Sequence, residues 1–169
     1  MSNVWLCIPS ARPPEQVEPV LAKWRERGYR VAIQRDLGTV GNLRESQGDG
    51  FIIEQAIYKG YAVAVNTLTK IVLEIDPSCD WIVTGGDDTL PDPNHTAEEI
   101  AEDCSRYLSD PEHLSMYDPK AATFGVMQPT GDRFAGGCID RIAGSPWLGR
   151  EWCLRANQGK GPFWPEFTH

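Results

Sequence analysis

Trp81-Ile82-Val83-Thr84-Gly85-Gly86-Asp87-Asp88 is the stretch whose reading decides the fold. Its first four residues form a short apolar and β-branched run, as expected of a strand covered on both faces in a parallel α/β sheet. Gly85 and Gly86 then let the backbone turn sharply and approach a ligand closely. Two neighbouring carboxylates leave the carboxyl end of this strand. Beyond them, Thr89-Leu90-Pro91-Asp92-Pro93 cannot pair back as a second strand, because neither proline has an amide hydrogen to donate.

Upstream, residues 4–9 are a second apolar run, read as a buried strand ending at Pro9. Ser10-Ala11-Arg12-Pro13-Pro14 leads into a helical pattern with Val17, Val20, Leu21 and Trp24 on one face and Gly28 at the position after its end. Pro19 is awkward in a helix interior, which would delay the start to as late as Val17. Residues 29–35 alternate as a strand with Val31 and Ile33 inward, ending at Asp36. Strand, helix, strand in this order implies a parallel pair with a right-handed crossover. Residues 37–50, with Gly38, Gly41, Gly48 and Gly50, read as a loop, and 51–53 as a short strand. Val65, Leu68, Val72 and Ile75 mark a helix over 61–75, stopped by Pro77.

Downstream, Thr96-Ala97-Glu98-Glu99 is a capping-box signature for a helix running to about residue 108. Residues 122–128 read as a further strand, and Ser145-Pro146-Trp147 as the opening of a short helix that Gly159 closes. The tail Gly161-Pro162-Phe163-Trp164-Pro165-Glu166-Phe167-Thr168-His169 carries three large aromatics where termini are normally polar. It either docks on the body or belongs to a longer chain, and the second reading is preferred.

At 169 residues, 41% apolar and 24% charged, the composition is that of a globular protein large enough for one ordinary core. No stretch approaches the roughly 20 apolar residues that span a bilayer, and the first residues lack the basic region of a signal peptide. Cys7, Cys79, Cys104, Cys138 and Cys153 are odd in number and contain no Cys-x-x-Cys pair, as expected for reduced, mostly buried thiols in a cytoplasmic protein. A net charge of −8 disfavours direct nucleic-acid binding, which needs a basic footprint. An acidic chain that handles an anionic nucleotide must offset repulsion locally, through a divalent cation, backbone amides or a few arginines.

In an open parallel sheet, ligands sit at the carboxyl ends of the strands. Three ends should meet there: Pro9-Ser10-Ala11-Arg12, Asp36, and Gly86-Asp87-Asp88. Carboxylate oxygens at a strand end suit Mg²⁺ or Mn²⁺, which keep places for water and substrate phosphates. The Gly-Asp-Asp of RNA polymerase palms joins two apolar strands; here only the first exists, so that reading is set aside. The residues instead resemble the family-2 glycosyltransferases. Gly60-Tyr61-Ala62-Val63-Ala64-Val65-Asn66 follows that family's Gly-x-Ala-x-Ala-Arg-Asn pattern, and Gly86-Asp87-Asp88-Thr89-Leu90-Pro91 its acidic segment before a proline. The resemblance covers roughly the first hundred residues. It departs at Val65, where arginine is common, and at Gly86, where the first aspartate of Asp-x-Asp would fall.

The resemblance implies a GT-A-like three-layer α/β/α domain with a mainly parallel central sheet. Residues 1–93 would form its nucleotide-binding half and 94–169 its acceptor-side half, cut short if the chain belongs to a longer one. It implies metal-dependent transfer of a sugar from a nucleoside diphosphate sugar, favouring a UDP-sugar, to a hydroxyl acceptor. Pro9, Ser10 and Arg12 would border the nucleoside, Asp36 would accept from the base imide, and Asn66 would line the donor pocket. Asp87 would face the ribose or pyrophosphate, and Asp88, with Asp87, would hold Mn²⁺ or Mg²⁺. His169 is a further metal-ligand candidate. Asp140, Glu151 and Glu166 are weak candidates for the base that deprotonates the acceptor. Two alternatives stand beside this: a sugar nucleotidyltransferase, and a catalytically degenerate nucleotide-binding module of the same fold.

Overall fold

The computed structural model describes residues 3–36, 43–45, 50–55, 58–110, 123–128, 145–164 and 166; for residues 36, 43–45 and 50–55 the backbone alone is described. In chain order the elements are β1 (Asn3–Ser10), α1 (Pro14–Glu26), β2 (Arg30–Asp36), β3 (Leu43–Glu45), β4 (Gly50–Gln55), α2 (Tyr61–Ile75), β5 (Cys79–Val83), α3 (Ala97–Ser109), β6 (Val126–Met127), β7 (Trp147–Gly149) and α4 (Arg150–Arg155), followed by a 3₁₀ turn over Ala156–Gly159. The strands form one sheet in the order β3-β4-β2-β1-β5-β7-β6.

Alternation along β1 explains how the sheet is covered. Val4, Leu6 and Ile8 point to one face, where Val31, Ile33, Trp81 and Val83 join them under Val17, Leu21 and Trp24 of α1 and Ala97, Ala101 and Cys104 of α3. Trp5 and Cys7 point to the other, packing with Ala32 and Ile82 beneath Leu68 and Val72 of α2 and Cys153 of α4. Helices therefore lie on both faces. Cys7, Cys79, Cys104 and Cys153 are buried and free, and burial pushes the Cys104 thiol up to about 11 and the Cys153 thiol up to about 12. These four are packing residues, neutral at physiological pH. Cys138 lies outside the described residues. Among the described residues, no helix is long and apolar enough to cross a membrane.

The sheet is mixed, which corrects the expectation of a mainly parallel one. β4, β2, β1 and β5 run parallel, but β3, β7 and β6 add antiparallel pairings at the two edges. Residues 37–50 are not loop throughout, since Leu43–Glu45 pairs with β4; three residues are too few for alternation to register. Residues 145–147 do not open a helix either. Trp147–Gly149 is a strand on β5 and the helix begins one residue later, because tertiary pairing overrides a weak local preference. Among the described residues of the expected 122–128 strand, Val126–Met127 form the paired strand. α1 begins at Pro14 and keeps Pro19 inside it. Pro19 is exposed, so the carbonyl it leaves without a partner faces water.

The boundaries with a clear local cause hold. Pro14 occupies the first turn of α1, and Gly28 follows its cap with φ 89°, a left-handed conformation. Thr96 and Glu99 close both halves of the capping box at the start of α3.

Candidate functional site

The order of strand addition creates the crevice. The chain lays down β1, adds β2 and then β4 on one side, and crosses to the other side of β1 for β5. α1 and α2 follow opposite faces, so the carboxyl ends of β1 and β5 flank a topological switch point, where neighbouring connections leave in opposite directions. β5 pairs with β1 only as far as Leu6, leaving Pro9 and Ser10 beyond the last β5 partner, where a missing amide hydrogen costs no ladder bond. A cleft of about 290 Å³ opens here, lined by Pro9, Ser10, Ala11, Gln34, Tyr58, Tyr61, Gly85, Gly86 and Asp87.

The acidic pair is held by a tight turn. Thr89 N donates to Gly86 O at 3.1 Å and Gly86 N to Thr89 Oγ1 at 3.2 Å, placing Asp87 and Asp88 at the two corners of a β-turn. Trp24 Nε1 donates to Thr89 O at 2.8 Å and ties the turn to α1. A side chain at Gly86 would meet Asp88 Oδ1 at 2.8 Å. The glycine that departs from the Asp-x-Asp pattern thus keeps room for the second carboxylate.

Ser10 Oγ donates to Asp87 Oδ2 at 2.5 Å and accepts from Arg12 N at 3.1 Å. The Arg12 guanidinium bridges both acids, with Nε 3.2 Å from Asp87 Oδ1 and a terminal nitrogen 2.8 Å from Asp88 Oδ2. Asp87 is largely covered, its side chain 15% exposed, whereas Asp88 is 63% and Arg12 45% exposed. Two carboxylates thus converge on one cationic position at the rim of the cleft. Its occupant is a half-exposed arginine, and exposed ion pairs of this kind contribute only about 0–1 kcal/mol.

The cleft wall has its own support. Tyr61 OH lies 2.5 Å from Thr84 Oγ1 and 3.5 Å from Gly85 O. Burial pushes the Tyr61 hydroxyl up, with the Thr84 hydrogen bond working against it, so it is a neutral phenol. Phe163 packs edge-on against the Tyr61 ring at 5.9 Å.

Pro9, Ser10, Arg12, Asp87 and Asp88 therefore come together as expected. The side chain of Asp36 lies outside the described residues; its backbone ends β2, in register with Gln55 of β4. Asn66 corrects its expected role. Its Nδ2 donates to Phe163 O at 2.8 Å and its Oδ1 accepts from Phe163 N at 3.0 Å, so the carboxamide docks the tail rather than lining the cleft. Gly161, φ 115°, passes so close that an added Cβ would lie 2.6 Å from the Asn66 side chain. Glu151 is corrected as well. It sits in the first turn of α4, just after Gly149 pairs with Trp81 and where Arg150 reaches Cys79 O at 3.2 Å, near the amino end of β5 and away from the cleft. Glu166 is exposed and borders a separate cavity of about 90 Å³ with Asn157, Gln158, Lys160 and Trp164. Asp140 and His169 lie outside the described residues. Gln34, Tyr58 and Tyr61 were not anticipated. The available signal was Gln34 itself, a polar residue inside an apolar strand.

Among the described residues no group of three or more His, Cys, Asp or Glu side chains is placed to hold a metal ion. The convergent Asp87 and Asp88 oxygens nevertheless fit a hard cation that takes most of its ligands from water and phosphate. Comparison of the chain with protein-family models, curated proteins and solved structures gives no match.

Proposed function

We propose that the protein is a GT-A-like glycosyltransferase that takes its sugar from a nucleoside diphosphate donor, with uridine the favoured nucleoside and a hydroxyl group the acceptor. The observation that carries this reading is the convergence of Asp87 and Asp88 on one cationic position, beside a cleft at the switch point of the sheet. An aromatic-walled cleft with carboxylates at its rim suits a ligand that is flat and uncharged at one end and polyanionic at the other.

In this reading Pro9, Ala11 and the tyrosines contact the nucleoside, and Ser10 fixes the Asp87 carboxylate through its hydroxyl. Asp87 and Asp88 would hold Mn²⁺ or Mg²⁺, which would supply neutralisation of charge on the departing diphosphate. Arg12, displaced from the carboxylates, is within one side-chain swing of the same phosphates, where its planar fork suits bidentate contact. Ser10 and Asp87 would thus orient the leaving group's side of the site, and Arg12 would take up part of its charge.

The test is titration of UDP in Mn²⁺ by calorimetry, for the natural protein and for Asp88→Ala, together with UDP release from UDP-sugars. At least a tenfold weaker UDP affinity in the variant is expected. Equal affinity removes the metal role and the transferase reading with it. The degenerate-module alternative has one observation in its favour, that Arg12 already neutralises both acids. Tight Mn²⁺-dependent UDP binding without turnover of any donor would select it.

A further inference from the structure

The inference rests on the nucleotide reading above and concerns the floor of the same cleft. Gln34 lies near the end of β2, in register with Pro9, lines the cleft, and is only 2% exposed. Its Oε1 has no hydrogen-bond partner among the described residues. Five other buried side-chain polar atoms share that condition, but none belongs to a residue lining this cleft. A buried acceptor left without a donor costs about 1–3 kcal/mol, so a sequence selected for stability alone would place an apolar side chain here. Ala32, two residues earlier on the same strand face, is apolar and packed into the core.

We propose that Gln34 is the specificity-determining residue that reads the hydrogen-bonding edge of the donor's base. A carboxamide carries one acceptor and two donors in a plane. It therefore matches the uracil imide, in the place the resemblance gave to Asp36, with the ring N–H donating to Oε1 and an adjacent ring carbonyl accepting from Nε2. Oε1 is sealed from solvent as it stands. The last torsion of a glutamine is broad and soft, so a base seated in the cleft would meet the carboxamide edge after a turn about it. Tyr58 and Tyr61 line the same cleft and supply aromatic surface beside it.

The experiment is Gln34→Met, close in shape but without the polar edge, measured in Mn²⁺ with UDP and with inorganic pyrophosphate, alongside thermal unfolding without ligand. UDP affinity is expected to fall at least tenfold and pyrophosphate affinity to stay unchanged. The melting temperature should hold or rise by about 2–4 °C, since an unsatisfied buried group is removed. Unchanged UDP affinity overturns the proposal, as does equal weakening of both ligands. So does a lowered melting temperature, which would mean the carboxamide has a structural partner. Gln34→Asn, which keeps the carboxamide but shortens its reach, should weaken UDP alone and serves if the methionine variant does not fold. If the natural protein binds neither UDP nor pyrophosphate, the nucleotide reading itself falls; if it binds pyrophosphate and UDP equally, only the Gln34 inference does.

Discussion

Arg12 decides how the acidic turn behaves without a ligand. Its guanidinium lies 3.2 Å from Asp87 and 2.8 Å from Asp88, so in the proposed reading a divalent ion held by both acids would compete with it. Arg12→Ala should therefore tighten Mn²⁺ binding in the absence of nucleotide, by up to about fivefold if the lost competition is worth up to about 1 kcal/mol. The same variant should weaken UDP binding in saturating Mn²⁺, because no guanidinium is left to meet the phosphates in the proposed reading. Electron paramagnetic resonance of free Mn²⁺ reads the first effect and calorimetry the second; an unaltered Mn²⁺ affinity would show that the arginine is not in the ion's way. Much of this residue set was legible beforehand, because a strand end followed by Gly-Gly-Asp-Asp announces both where the carboxylates lie and why the backbone can turn there. The Arg12 bridge was not, since nothing in Ser10-Ala11-Arg12 states which way the side chain folds. Gln34 was missed for a related reason: period-two patterning assigns a strand residue to a face but not to a cavity in that face. Asn66 was assigned to the pocket by its place in a motif, while a contact 97 positions away in the chain uses both ends of its carboxamide.

At the level of elements, legibility followed contact range. β1, α1, β2, α2, β5 and α3 carry their own periodicity, caps and breakers, so their existence was readable and their boundaries nearly so. The strands β3, β6 and β7 are two or three residues long and owe their conformation to the strands beside them. β7 shows the cause most directly. Gly149 lies against the Thr123 segment, and an added Cβ would come within 1.9 Å of Thr123 O. Gly149→Ala must push one backbone segment away from another, so it should destabilise by about 2 kcal/mol or more. Thermal unfolding followed by circular dichroism should show a melting point lower by roughly 5 °C or more. A variant melting with the parent would mean that the 123–128 segment yields easily. The tail is an element of another kind, held to α2 by two hydrogen bonds from one side chain. Asn66→Ala removes both, at about 0.5–1.5 kcal/mol for each bond, and frees the Phe163 ring that backs Tyr61. Limited proteolysis should then cut faster after Lys160 or Phe163, with UDP affinity falling as the Tyr61 wall loosens. Unchanged cleavage would place the anchor elsewhere in the tail.

Across the whole molecule, the two ends of the parallel strands do different work. The carboxyl ends carry the cleft and its exchangeable, half-exposed charges, and the amino ends are locked by one buried carboxylate. Asp76 follows α2 and lies 8% exposed beside Arg30 of β2, whose guanidinium reaches its Oδ2 at 2.6 Å. Trp5 Nε1 of β1 donates to the same oxygen at 2.7 Å and Asn3 Nδ2 at 2.5 Å. Ser78 donates to Oδ1 through its hydroxyl at 2.6 Å and its amide at 3.1 Å. Burial alone would raise the carboxyl's pKa; the hydrogen bonds from Ser78 and Trp5 and the Arg30 charge outweigh it and hold it below the ordinary 3.8. A group whose folded pKa is depressed stabilises the fold fully above its unfolded pKa, and that contribution drains away as pH falls through the folded value. Stability should therefore be level in Asp76 as far as pH about 5 and decline below about 4. Asp76→Asn keeps an acceptor oxygen but loses the charge, so it should be less stable than the parent at pH 7 and draw closer to it as pH drops below 4. Asp76→Ala strands Arg30, Trp5 and Ser78 together and should cost about 3 kcal/mol at neutral pH, the lower end for a broken buried pair because Arg30 is partly solvated. Urea unfolding at pH 7, 5 and 3.5 measures all three proteins. A constant gap between parent and Asp76→Asn across that range would show that the charge contributes nothing and that the amino ends are held by packing alone.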